Sequence, residues 1–150
     1  MKVELLSERV GLLVIDYQTR LSAAMKPDIL SQCVKNSFNL LSLSQLVDIP
    51  IITTEQYPQG LGHTLGSLSQ NMGTPWAKTH FSVYGDPEIR LHIEETQRTQ
   101  WVIVGMEAHI CVYQSVRDLL DAGHHVWVPR DAVLSRQKSD WQTGLELMSA

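Results

Sequence analysis

Short apolar runs alternate along this chain with stretches in which apolar residues recur every three or four positions, the pattern of buried strands and amphipathic helices. Val10-Gly-Leu-Leu-Val-Ile-Asp16 reads as a buried strand, and Asp28 to Leu46 as a helix with Ile29, Leu30, Val34, Phe38 and Leu41 on one face. Pro50-Ile-Ile-Thr-Thr54 predicts a second strand, followed by a long Gly-rich loop from Glu55 to Gly73 that has no clear period. A loop of that length in a compact domain is usually functional. An extended piece spans Trp76 to Val83, then Asp86 caps and Pro87 begins a helix ending near Thr96. Trp101 to Gly105 is the next strand and Cys111 to Ala122 the next helix, stopped by Gly123. Val126 to Pro129 is a further strand, and Ser135 is placed to cap a last helix running toward Met148. Strands alternating with helices predict a three-layer α/β/α fold around a mostly parallel, Rossmann-like sheet.

Composition narrows the class. A chain of 150 residues with 43% hydrophobic content fits a single domain over 1–150 with a sizeable core. A formal net charge of -4, with no basic stripe, argues against nucleic acid as a partner. Met1-Lys-Val-Glu-Leu5 carries no apolar leader, and no apolar stretch approaches the roughly 20 residues that cross a bilayer, so the expected setting is cytoplasmic, without membrane contact. Cys33 and Cys111 show no metal-like spacing, and in a reducing compartment both stay thiols. Cys33 falls on the apolar face of the first long helix, as an inert core residue does.

In open parallel sheets, ligands bind beyond the carboxyl ends of the strands. Asp16, Glu55 and the turn Gly105-Met-Glu-Ala-His-Ile-Cys111 all fall there. Cys111 stands where a strand passes through a short turn into a helix. Free N–H groups and the helix dipole there favour a thiolate that ionises near neutral pH. The same position also suits a small buried core cysteine. Asp16 likewise suits a turn cap, and Lys78 a solvated surface lysine. His109 raises a Cys-His pairing, but a residue two positions before the nucleophile at a helix start tends to point elsewhere.

Leu13-Val-Ile-Asp16 with Gln18, Trp76-Ala-Lys-Thr-His-Phe-Ser82, Gly105-Met-Glu-Ala-His-Ile-Cys-Val112 and Asp131-Ala-Val133 together resemble the isochorismatase-like cysteine hydrolase family, which includes nicotinamidases and N-carbamoylsarcosine amidases. Thr54-Glu-Gln-Tyr-Pro-Gln-Gly-Leu-Gly62 looks like the isochorismatase-domain-containing subgroup. The resemblance implies a Cys-Asp-Lys triad. Cys111 would be the nucleophile toward a C–N bond of a small amide-like substrate, Asp16 the proton acceptor and donor, and Lys78 the ammonium beside both. Backbone N–H groups of Cys111 and Glu107 would form the oxyanion hole, after a cis Met106–Glu107 peptide that family members commonly have. Gln18, Glu55, Tyr57, Trp76 and Phe81 are the candidate substrate-binding residues, although a turn at Pro58 and core packing account for several of them equally well.

Metal-dependent nicotinamidases resembling this family carry an Asp-x-His pair after the second strand, where this chain reads Thr53-Thr-Glu-Gln-Tyr57. The expectation is therefore no metal and no other cofactor. Relatives usually continue with one more strand and helix, so an open sheet edge and family behaviour together predict a homo-oligomer. Three other readings fit the same fold: a non-catalytic oligomerisation or small-molecule-binding module, a thiol redox sensor, and isochorismatase-type vinyl ether hydrolysis.

Overall fold

The computed structural model describes residues 4–150. Its centre is a fully parallel six-stranded sheet. Five strands lie in the order β3 (Trp76–Lys78), β2 (Ile51–Gln56), β1 (Val10–Ile15), β4 (Gln100–Met106), β5 (His125–Trp127). The sixth, β6 (Val133–Leu134), pairs with the end of β4, Gly105 opposite Val133 and Met106 opposite Leu134. β5 pairs with the start of β4, so the two short strands follow one another along the same neighbour.

β1 is buried along its whole length because both faces of the sheet are covered, which is why it reads as a continuous apolar run and not as an alternation. Its side chains still divide by face. Leu12 and Val14 join Val104, Met106, Tyr17, Cys33 and Leu41 under helix α2 (Pro27–Leu46), after the short α1 (Thr19–Ser22). Leu13 and Ile15 join Ile52, Trp101 and Ile103 on the other face. That face is covered by α5 (Pro87–Glu95), α6 (Tyr113–Asp121) and α7 (Lys138–Ser149), through residues such as Ile89, Ile93, Val116, Leu119 and Leu145. The expected three-layer architecture is present.

Local rules account for much of this. Asp86 accepts hydrogen bonds from Glu88 N and Ile89 N at 3.0 and 3.2 Å, with Pro87 at the first helical position, as the α5 start signal predicts. Three expectations need correction. The Glu55–Gly73 segment is not one loop: Glu55 and Gln56 extend β2, and α3 (Pro58–Leu61) and α4 (Gly66–Ser69) follow. Ser135 does not cap α7, whose N-cap is Gln137, because the Ser135 hydroxyl is engaged by the turn after β4. Helical backbone there starts at Ala108, in a π-type turn over Ala108–Val112, and α6 proper begins only at Tyr113.

Two glycines set how tightly the site is held. Gly105, at φ +130, lies so near β1 that a Cβ on it would sit 2.0 Å from the Ile15 carbonyl oxygen. Gly144 of α7 faces the turn after β4, and a Cβ there would meet the Ala108 carbonyl at 2.8 Å. Neither position accommodates a side chain without moving backbone.

Candidate active site

β1 ends at Ile15, and Asp16 then turns into left-handed backbone at φ 55, a conformation Asp tolerates better than most residues. The turn aims its fully buried carboxylate across the ends of β2 and β3. Thr54, paired with Ile15 in the parallel register, donates its hydroxyl to Asp16 Oδ1 at 2.8 Å. Lys78, the last residue of β3, brings Nζ to Asp16 Oδ2 at 3.0 Å, an ion pair with neither side chain exposed. The same ammonium reaches Gln56 Oε1 at 2.6 Å, the carbonyls of His80 and Phe81 at 3.0 Å each, and Cys111 Sγ at 3.7 Å. Three residues some sixty and thirty positions apart in sequence thus meet in one buried cluster.

Cys111 is 6% exposed and sits in the π-type turn rather than at the first residue of a regular helix. Burial pushes its thiol up to about 12, the Asp16 carboxylate adds to the rise, and the Lys78 ammonium opposes it only in part. This corrects the expectation of a thiolate near neutral pH: desolvation and a neighbouring anion outweigh the dipole and the cation, and the sulfur keeps its proton. The Met106–Glu107 peptide preceding the turn is cis.

A second set of bonds fixes that turn from behind. Arg136 holds the buried Glu107 carboxylate through its backbone N–H at 3.0 Å, Nε at 3.2 Å and Nη2 at 3.0 Å. The Ser135 hydroxyl accepts from Ala108 N at 3.1 Å and meets His109 Nδ1 at 2.9 Å. His109 thus faces Ser135, with Asp140 at 3.8 Å on its other nitrogen. On the far side, Ser115 Oγ donates to the Cys111 carbonyl at 2.6 Å and accepts from Val83 N at 3.0 Å, tying α6 to the segment after β3.

The other sequence-predicted residues separate by role. Gln18 is buried and bridges to Gln56 N and to the carbonyls of Gln56 and Gly62, so its amide is spent on scaffolding. Glu55 accepts from the Thr64 N–H at 2.7 Å and hydroxyl at 2.8 Å and pairs with His63. Burial works against its charge, but these partners prevail and hold its carboxyl below the usual range. Tyr57, in left-handed backbone, is 56% exposed, and the Phe81 side chain is 51% exposed, while its carbonyl serves Lys78. Trp76 stacks on His92 with ring centres 4.9 Å apart and packs against the core. Sequence reasoning missed Thr54, Ser115, Ser135 and Arg136. The Thr54 signal lay in its register beside Asp16, visible only once β1 and β2 are known to pair.

Among the described residues, no group of three or more His, Cys, Asp and Glu side chains is arranged to hold a metal ion, and no helix is long and apolar enough to cross a membrane. With this geometry in hand, comparison with known proteins is direct: residues 10–150 match the family description "Isochorismatase domain". The chain belongs to the isochorismatase family. Isochorismatase domain-containing protein 2 of Homo sapiens is 36% identical over 118 residues, covering 78% of this chain and 57% of that protein. The chain therefore spans little more than half the length of this relative. The MAR1 ribonuclease of Caenorhabditis elegans superposes with a TM-score of 0.90 at 31% identity, over 98% of this chain and 76% of that one. Nicotinamidase PncA of Bacillus subtilis does so with a TM-score of 0.80 at 18% identity, over 92% and 93% of the two chains, a likeness of fold. Within the isochorismatase fold, the cluster of Asp16, Lys78 and Cys111 sits at the carboxyl ends of the strands, where parallel sheets bind ligands.

Proposed function

We propose that this chain is a cysteine hydrolase that cleaves a C–N bond of a small amide-like molecule through a covalent intermediate on Cys111. The supporting observation is that one buried ammonium, Lys78 Nζ, lies 3.0 Å from Asp16 Oδ2 and 3.7 Å from Cys111 Sγ. In this reading Cys111 Sγ attacks the carbonyl carbon as its proton passes to Asp16, and the carbonyl oxygen becomes an anion facing the N–H groups of Cys111 and Glu107. Asp16 then gives the proton to the departing nitrogen, the C–N bond breaks, and a thioester remains. Water attacks the thioester and yields a proton to Asp16. The C–S bond breaks, the acid product leaves, and Cys111 regains its proton.

A thiol with a raised pKa suits this sequence, because sulfur gives up its proton only when the carbon to be attacked arrives. The same property weighs against a thiol redox sensor, which needs an exposed thiol of low pKa. A net charge of -4 weighs against a ribonuclease role, the activity in the name of the nematode protein. Lys78, with its donors already shared among five acceptors, acts by charge and position and not by proton transfer. We further read the chain as a single cytoplasmic domain that works as a homo-oligomer, since β3 and the β5–β6 side end the sheet as open edges.

The decisive experiment screens a panel of primary amides, N-carbamoyl compounds and a vinyl ether for turnover, with intact-mass trapping of an acyl adduct on Cys111. Amide turnover lost in Cys111→Ala, with an adduct in the wild type, supports the reading. Turnover that survives Cys111→Ala overturns it.

A further inference from the structure

Behind the turn that carries Cys111, a cleft of about 650 Å³ opens between the start of α2, the β5–β6 connection and the start of α7. Its size lies within the roughly 300–1,000 Å³ of small-molecule sites. It is separate from the Asp16–Lys78–Cys111 cluster, none of whose side chains lines it. Its walls combine two kinds of surface. Ile29, Leu134 and the ring of Trp141 supply apolar area, while Lys26, Arg130, Arg136 and Lys138 bring positive charge.

The charge is out of keeping with the rest of the molecule. In a chain of net charge -4, cations outnumber the carboxylates of this wall, Asp28 and Asp131, by two to one. These cations are also little used by the protein itself. Among the described residues, Lys26, Arg130 and Lys138 form no salt bridge; only Arg136 has one, with Glu107. Arg130 instead lies over the Trp141 ring, its guanidinium carbon 5.3 Å from the ring centre, so that a flat apolar wall and a positive group adjoin. Mutually repelling cations around a partly dry cleft are stabilised by an anion, and an adjacent aromatic wall favours one with a flat apolar body.

We propose that this cleft binds a small organic anion with a planar apolar body and a carboxylate group. The anion bears on the nucleophile turn through two residues that belong to both regions. Ser135 lines the cleft and holds Ala108 and His109, and Arg136 lines it and holds Glu107. An occupant drawing on the Arg136 guanidinium competes with Glu107, which makes the cleft a place from which the turn can be loosened or tightened.

Isothermal titration calorimetry tests the site with 2-naphthoate, its neutral counterpart 2-naphthylmethanol, and inorganic phosphate, on wild type and on Lys26→Gln/Lys138→Gln. Both lysines are exposed, and circular dichroism checks that the double variant is folded. The expected result is binding of 2-naphthoate about tenfold or more tighter than either other probe, and a loss of about tenfold in the double variant. Equal affinity for naphthoate and naphthylmethanol, equal affinity for naphthoate and phosphate, no binding at all, or an unchanged affinity in the variant would each overturn the proposal. The readout needs no turnover, so it stands or falls apart from the hydrolase reading.

Discussion

Thr54 Oγ1 and Lys78 Nζ grip opposite oxygens of the Asp16 carboxylate, at 2.8 and 3.0 Å, so that neither oxygen of this fully buried group lacks a donor. Replacing Thr54 by Val keeps the shape and removes one donor. Because a buried acceptor left without its partner costs about 1–3 kcal/mol, Thr54→Val is expected to lower the unfolding free energy by that order. Urea denaturation followed by tryptophan fluorescence measures it.

The Asp16–Lys78 pair has both side chains wholly inside the protein, where removing one partner leaves the other as an uncompensated charge. Lys78→Met should therefore destabilise by about 3–5 kcal/mol, and Asp16→Asn on that background should recover a large part of the loss. A double-mutant cycle reads this as non-additivity. If the two losses simply add, the pair does not interact as described.

Cys111 carries a pH signature. Its thiol is raised from 9.0 to about 12, so over that interval the folded state holds a proton that the unfolded state releases, and stability falls as pH rises through it. Cys111→Ala lacks this contribution, and the stability difference between wild type and variant should shift in the variant's favour between about pH 9 and about pH 12. Cys33 and Tyr84, also raised, are common to both proteins and cancel. Alkylation gives a second reading: iodoacetamide labelling of Cys111 at pH 8 should be slow in wild type and faster in Asp16→Asn, which removes a charge and a hydrogen bond that raise the thiol. Labelling that slows in Asp16→Asn would contradict this electrostatic account.

Gly144→Ala places a methyl group 2.8 Å from the Ala108 carbonyl, and backbone cannot yield there as a flexible side chain would. The expected cost is about 1–3 kcal/mol from overpacking. It should be accompanied by faster hydrogen exchange in residues 107–112, measured by mass spectrometry, as α7 lifts from the turn. Protection elsewhere in the sheet should change little.

The parts of the fold that were legible in sequence are those governed by local patterns. The apolar run before Asp16, the Asp86–Pro87 helix start and Gly123 after α6 each follow from chemistry within a few residues. The site was legible as a set of residue types at strand ends, and the structure brings Asp16, Lys78 and Cys111 within contact of one another. Its electrostatics were not. Whether Cys111 ionises depends on how much water the folded chain removes and on the distance to Asp16, and neither is encoded in the neighbouring residues. Ser135 misled for a related reason: a hydroxyl before a helix satisfies the capping rule, but Ala108 N, 27 positions away, claims it first. The breaks in the Glu55–Gly73 segment escaped because helices of four residues carry too little periodicity to register.

The ammonium of Lys78 has more acceptors around it than protons to share. A group so fully occupied has nothing left with which to recognise an incoming molecule, so discrimination falls to the rim, where Tyr57 and Phe81 stand open to solvent. Such a division lets descendants of one ancestor change their diet by altering a few outer side chains, with the inner chemistry inherited intact.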